Sequence, residues 1–259
     1  MSSALKSSSE GSTLILMLSN PEFRNALGPE MYAAGIEALN AAENNPEIRS
    51  VVITGEGAMF CAGGNLQRLQ ANRRESPEVQ AQSIEGLHNW IEAIRTYPKP
   101  VIAAVEGAAA GAGFSLVLAC DFVVAADNAV FVMSYSTVAL SPDGGGSWGL
   151  ANALPRALAC ELLMCGDRIS AQRLHTLGLV NRVSTAGDAL NQALQLAEKL
   201  NARAPNVLAS IKELINDAPV STLSQQLASE RDHFVCNLHH ANAGEGIDAF
   251  LQKRTPQFR

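Results

Sequence analysis

No stretch of this 259-residue chain stays apolar for the ~18–20 residues that a membrane-crossing helix needs, so no spanning segment is expected. The serine-rich start also lacks the apolar core of a signal peptide. A cytoplasmic protein with a disordered start over residues 1–11 is therefore expected. Cysteine is sparse and scattered, at 61, 120, 160, 165 and 236, with no Cys-x-x-Cys pair. That pattern excludes a disulfide framework and a thiolate zinc site, and it fits a reducing compartment. Five histidines include the adjacent His239 and His240, but no His-Glu-x-x-His accompanies them, and no metal site is expected. Basic residues are outnumbered, 19 Lys and Arg against 25 Asp and Glu, for a formal charge of −6. The footprint of a nucleic-acid-binding protein is missing. Aromatic residues make up only 5%, yet 47% of the chain is hydrophobic and 17% charged, which describes a globular protein able to bury a full core.

What is present is a series of short apolar runs separated by helical patterns. Strands are expected at Thr13–Ser19, Ser50–Thr54, Val101–Val105, Asp121–Ala125 and Ala129–Met133. Helices are expected from Pro29 to about Ala42 and from about Val79 to Arg95, the latter stopped by Pro98-Lys99-Pro100. Strands that are apolar throughout, without alternation, indicate sheets buried on both faces, hence an α/β fold with crossover connections. After Gly144 the pattern becomes mostly helical, with an apolar face at Leu190, Ala193, Leu194, Ala197 and Leu200. The expected organisation is a βα core over 12–196 and a helical region over 197–259.

Two glycine-rich corners that follow strands, and a third farther along the chain, are where chemistry could sit. Ala62-Gly63-Gly64-Asn65 is the first, and Gly107 to Gly113, leading into the apolar helix Phe114–Ala119, is the second. Small residues let a backbone approach a ligand, and a helix start offers unpaired N–H groups. Two such groups aimed at one point would stabilise an enolate or a tetrahedral oxyanion. Tight helix–strand packing explains the same glycines equally simply. The third corner, Pro142-Asp143-Gly144-Gly145-Gly146, adds a carboxylate that could serve as a base or could be ordinary turn chemistry. Gly145-Gly146-Ser147-Trp148-Gly149 fits G-x-S-x-G, but Pro142-Asp143 interrupts the strand that a nucleophile elbow requires. The overlapping G-x-G-x-x-G at 144–149 lacks both a preceding strand and a following acidic residue.

Together these corners, with Asn20-Pro21, Arg24-Asn25-Ala26-Leu27, Phe60 to Leu66, Pro98 to Gly107, Ala119-Cys120-Asp121 and the C-terminal Ala249 to Phe258, resemble the enoyl-CoA hydratase/isomerase (crotonase) superfamily in order and spacing. The resemblance covers nearly the whole chain. It implies a crotonase-like ββα superhelix with a C-terminal helical trimerisation region, assembled as a homotrimer or homohexamer. It also implies an acyl-CoA thioester as substrate, with no separate cofactor and no nucleic-acid or membrane partner.

By motif position the resemblance assigns the oxyanion hole to the N–H groups of Gly64 and Ala112, although the second position is more often glycine in the family. It places CoA near Arg24, Ala26, Cys61, Ala62 and Gly63, and the acyl pocket near Leu66, Ser115, Tyr135 and Gly144. The hydratases' two glutamates are replaced by Ser115 and Tyr135, neither of which can act as a carboxylate. Asp143 stands where several isomerases carry their single acid/base, and the segments around Leu140–Trp148 and Leu223–Asp232 look most like the enoyl-CoA and epoxyphenylacetyl-CoA isomerases. Double-bond isomerisation with Asp143 as proton shuttle is the leading expectation. Hydration by an unusual acid/base set is one alternative. His88 lies where dehalogenases of the superfamily carry a histidine, so nucleophilic Asp143 with His88, as in a dehalogenase or thioesterase, is another; a surface or core-edge histidine on an amphipathic helix is the plainer reading of His88. A non-catalytic member that binds acyl-CoA or RNA completes the set.

Overall fold

The computed structural model describes residues 4–259. It begins with a hairpin in which β1 (Ala4–Glu10) turns at Gly11-Ser12 into β2 (Thr13–Ser19), with paired residues running from Ala4 opposite Ser19 to Glu10 opposite Thr13. The disorder expected over residues 1–11 is thus corrected for Ala4–Glu10, while residues 1–3 lie outside the described residues. An edge strand is held by its backbone bonds to one neighbour and needs no apolar side chains, so serines at 7–9 hide it from a pattern search. Lys6 on this strand reaches Glu56 Oε1 at 2.6 Å.

The chain continues through α1 (Pro29–Glu43), β3 (Ser50–Gly55), α2 (Leu66–Asn72), α3 (Pro77–Thr96), β4 (Val101–Val105), β5 (Ala108–Ala110), α4 (Ala112–Ala119), β6 (Phe122–Ala126) and β7 (Val130–Val132). Then come α5 (Gly146–Ala153), α6 (Arg156–Cys165), β8 (Arg168–Ser170), α7 (Ala171–Thr176), β9 (Arg182–Ser184), α8 (Ala189–Asn201), α9 (Pro205–Asp217), α10 (Leu223–Leu238) and α11 (Ala241–Leu251). A six-stranded sheet has the order β1-β2-β3-β4-β6-β9, parallel from β2 onward, and a second sheet has the order β5-β7-β8. Successive turns of the chain place one strand in each sheet and then a helix, as in β4, β5, α4 and in β6, β7, α5. The earlier turn does the same with β3, a bridge from Cys61 to Ala109, and α2. This is the ββα spiral that the motifs imply. Strands β3 and β4 are buried along their whole length, which explains why neither alternates.

Two short strands break the expected helical character after Gly144. β8 pairs with β7, and β9 extends the large sheet beside β6. Three residues are too few to show a period, so neither was readable. The boundary expected at 196 falls inside α8, whose Ala193, Leu196 and Ala197 pack with Val52, Ile102, Ala104 and Val124 of the large sheet. The core therefore runs through Asn201. Glu106 receives the start of this helix, accepting from Gly187 N at 3.0 Å and Ala189 N at 2.9 Å, where a carboxylate meets the positive end of the helix dipole.

One ion pair fastens the last helices to this core. Asp121 Oδ2 accepts from Val101 N and from Lys212 Nζ of α9, both at 2.8 Å, and Lys212 also donates to Ile94 O at 3.0 Å. Burial pushes the Asp121 carboxyl above its ordinary range, and Lys212 is the main group opposing that. The Lys212→Met protein should lose about 1–3 kcal/mol of unfolding free energy, less than for a fully buried pair because both side chains keep some solvent contact. Urea denaturation of the two proteins checks this.

Candidate active site

The first corner is fixed by a backbone ladder. Cys61 N donates to Ala108 O at 3.0 Å and Ala110 N donates to Cys61 O at 2.9 Å, which lays Phe60 and Cys61 alongside β5. The chain then turns at Gly63, where φ is +93° and a Cβ would stand 2.7 Å from Ala110 O. Only glycine lets Gly63-Gly64 lie this close to the start of α4. A second contact, Leu27 N to Gly63 O at 2.8 Å, ties in the Arg24–Leu27 segment. That segment is itself held by Asn25, whose Nδ2 donates to Glu56 O at 2.9 Å and Met59 O at 2.7 Å.

Gly64 and Ala112 both line one cleft of 370 Å³, and the N–H of neither has a backbone acceptor among the described residues. Ala112 is the first residue of α4, where N–H groups have no partner within the helix. The left-handed backbone belongs to Gly111, so alanine is accommodated at 112. The departure from glycine leaves the donor in place.

Asp143 lines the same cleft and is the only carboxylate among its described lining residues. Its Oδ1 accepts from Tyr135 Oη at 2.6 Å, and its backbone oxygen accepts from Ser115 Oγ at 2.9 Å and Gly146 N at 3.1 Å. Gly144, with φ +57°, then turns the chain where a Cβ would meet Ser115 Cβ at 3.1 Å. The residues at the two glutamate registers thus hold the one remaining carboxylate. Burial first, and then the charge of Asp143, push the Tyr135 phenol above its usual range, so it stays a proton donor at neutral pH. Tyr135 and Leu66 line the cleft, and Ser115 and Gly144 line a neighbouring cavity.

His88, half-buried on α3, also lines the cleft. Gln80 and Ile84 also line it and sit eight and four residues before His88, on one stripe of α3. That spacing was the signal that could have found them. Ala62 and Gly63 form the opposite rim, and Ala62 N donates to Arg24 O at 3.0 Å, which keeps the exposed Arg24 next to that rim. Ala26 does not reach the cleft; it is buried with its carbonyl oxygen accepting from Asn20 Nδ2 at 3.1 Å. Ser147, the serine of the G-x-S-x-G match, is exposed on α5 with no strand leading into it.

Besides its backbone, Cys61 contributes its sulfur, which accepts from Gly63 N at 3.3 Å. It is fully buried, and burial pushes its thiol up to about 12, so it stays a thiol at neutral pH. Iodoacetamide at pH 8 should modify the exposed Cys165 and leave Cys61 intact in the folded protein, which peptide mass spectrometry reads directly.

The enoyl-CoA hydratase/isomerase family profile matches residues 9–259. The chain is 38% identical over 250 residues to 1,2-epoxyphenylacetyl-CoA isomerase of Escherichia coli K12, covering 96% of this chain and 95% of the relative. It is 35% identical over 246 residues to 2,3-dehydroadipyl-CoA hydratase of the same organism, covering 95% and 94%. A crystal structure of an enoyl-CoA hydratase from Polaromonas sp. JS666 superposes with a TM-score of 0.98 at 84% identity, covering 98% of this chain and 99% of that one. Fold, corner geometry and these similarities agree: the chain belongs to the enoyl-CoA hydratase/isomerase (crotonase) family, whose members act on acyl-CoA thioesters.

Proposed function

We propose that this protein is an acyl-CoA isomerase that moves a double bond from the β,γ to the α,β position of a thioester. The observation that carries the reading is a single carboxylate, Asp143, in a cleft bordered by the unpaired N–H groups of Gly64 and Ala112. The thioester oxygen accepts from those two N–H groups. Asp143 removes a proton from Cα, the charge spreads over the dienolate onto the held oxygen, and Asp143 returns the proton at Cγ. Tyr135 occupies Oδ1, so Oδ2 is the oxygen that carries the proton. The exposed Arg24 and the Ala62–Gly63 rim take the nucleotide end of CoA.

Hydration is the second reading, favoured by the name of the Polaromonas relative at 84% identity. Ser115 and Tyr135 weigh against it, because neither supplies the second carboxylate that the hydratase route uses. Incubation with a 3-enoyl-CoA should yield the conjugated thioester, and Asp143→Asn should slow this by about 10²–10⁴-fold while affinity for a saturated thioester is kept. Tyr135→Phe should cost about tenfold in kcat, the worth of one hydrogen bond to a charged group. Turnover indifferent to Asp143→Asn would sink the isomerase reading, and faster addition of water to a 2-enoyl-CoA would replace it with hydratase.

The assembly belongs to the same proposal. Helices α10 and α11 expose Phe234, Phe250 and Leu251 at 68%, 83% and 73%, more apolar surface than a lone chain keeps. Sedimentation should give the mass of three or six chains; a monomer at micromolar concentration would contradict it.

A further inference from the structure

The peptide plane between Gly63 and Gly64 carries two groups with separate tasks. Its carbonyl oxygen accepts from Leu27 N at 2.8 Å, and its N–H, that of Gly64, has no backbone acceptor among the described residues. In a planar trans peptide the C=O and the N–H point in opposite directions, so a bond that fixes one aims the other. Leu27 is buried and does not line the cleft, whereas Gly64 does. The bond from Leu27 turns the Gly64 N–H to the face opposite Leu27, and it strengthens that N–H as a donor, because hydrogen bonds in series polarise one another. The Gly111–Ala112 plane is aimed differently: its carbonyl oxygen accepts from Phe114 N at 2.9 Å and Ser115 N at 3.0 Å, in the first turn of α4. One donor is aimed by its own helix, the other by a distant segment of the chain.

A single buried side chain holds that segment. Asn25 is 1% exposed, and its amide bonds only to backbone: Nδ2 donates to Glu56 O at 2.9 Å and Met59 O at 2.7 Å, and Oδ1 accepts from Asn20 N at 3.1 Å. Residues 56–59 lead into the corner, so the two runs of chain that meet at Leu27 and Gly63 are fastened to the same amide. The backbone between them would not hold its shape unaided. Arg24 and Asn25 have left-handed φ of +51° and +58°, which persists in L residues only where the surroundings over-determine it.

We infer that Asn25 is a positioning residue for the reaction: through Leu27 N–H and the Gly63–Gly64 plane, its side-chain amide keeps the Gly64 N–H aimed at the thioester oxygen. This rests on the reading of Gly64 and Ala112 as the oxyanion donors. Asn25 does not line the cleft, so it acts through the backbone and not on the substrate. Its loss is felt most where charge develops on the oxygen, and so more in kcat than in KM.

Asn25→Gly tests the inference, because it removes the amide while leaving the left-handed backbone unstrained. Should that protein not fold by urea denaturation, Asn25→Asp, which keeps the shape but cannot donate to both carbonyls, is read in its place. With a 3-enoyl-CoA, kcat should fall by at least about tenfold, up to the roughly 10²–10³-fold that losing one oxyanion donor costs, while KM changes less. Butanoyl-CoA, isotopically labelled at the thioester carbonyl, binds without isomerisation. Infrared difference spectra should show its C=O stretch lowered on binding to the unmodified protein and lowered less in the variant. An asparagine that merely stabilised the fold would shift the urea midpoint and leave the bound carbonyl as polarised as before. A full carbonyl shift in the folded variant, or failure of both variants to fold, would overturn the inference. An unshifted carbonyl in the unmodified protein would reject the oxyanion reading and the inference with it. A shift that the variant diminishes, in a protein that isomerises no 3-enoyl-CoA, would support the role of Asn25 and reject the isomerase reading alone.

Discussion

The cleft depends on one backbone contact, the ladder between Cys61 and β5 that brings two separate glycine corners together. Residues 61–64 follow β3, and residues 108–112 follow β4, so nothing in the chain's local geometry joins them. The Cys61–Ala108 and Ala110–Cys61 bonds do, and Gly63, with no Cβ, permits the last approach to Ala110. Gly64 and Ala112 then line one space. Backbone donors held in place by such bonds would need little reorganisation if charge developed on an oxygen bound there.

The acidic side of the cleft follows a compatible logic. With no second carboxylate lining it among the described residues, Asp143 faces no like-charge neighbour there, and the positions that could have supplied one have become its supports. Tyr135 orients the carboxylate through Oδ1, and Ser115 fixes the backbone that carries it. Both supports are neutral hydrogen-bond donors. The exposed Arg24 stands beside the Ala62–Gly63 rim, its carbonyl oxygen accepting from Ala62 N at 3.0 Å.

The C-terminal helices are tied to the core through a different device. Lys212 reaches Asp121 at the base of β6 and Ile94 at the end of α3, and Asn216 donates to Arg95 O at 2.9 Å. Helix α3 is therefore held at its end by α9 while its middle lines the cleft with His88. Its middle packs on α1, where the Tyr32 and Trp90 ring centres stand 6.3 Å apart, so the place of His88 depends on contacts distant in sequence, which no local pattern could report.

The strands β2, β3 and β4, the helices α1 and α3 and the Asp143 turn were legible because each is a local decision: an apolar run, a helical stripe between prolines, a carboxylate among glycines. The family pattern added which corners meet. Edge strand β1 and the three-residue strands β8 and β9 were not legible, because backbone pairing with a neighbour holds them and their side chains carry no period. The place of His88 on the cleft wall and the attachment of Tyr135 and Ser115 to Asp143 were decided only by tertiary structure. The sequence by itself determined that two unpaired N–H corners and one carboxylate exist. Their meeting is decided by the winding of the ββα spiral, since hydrogen bonds act over ångströms and the chain must first bring residues 64, 112 and 143 within that range.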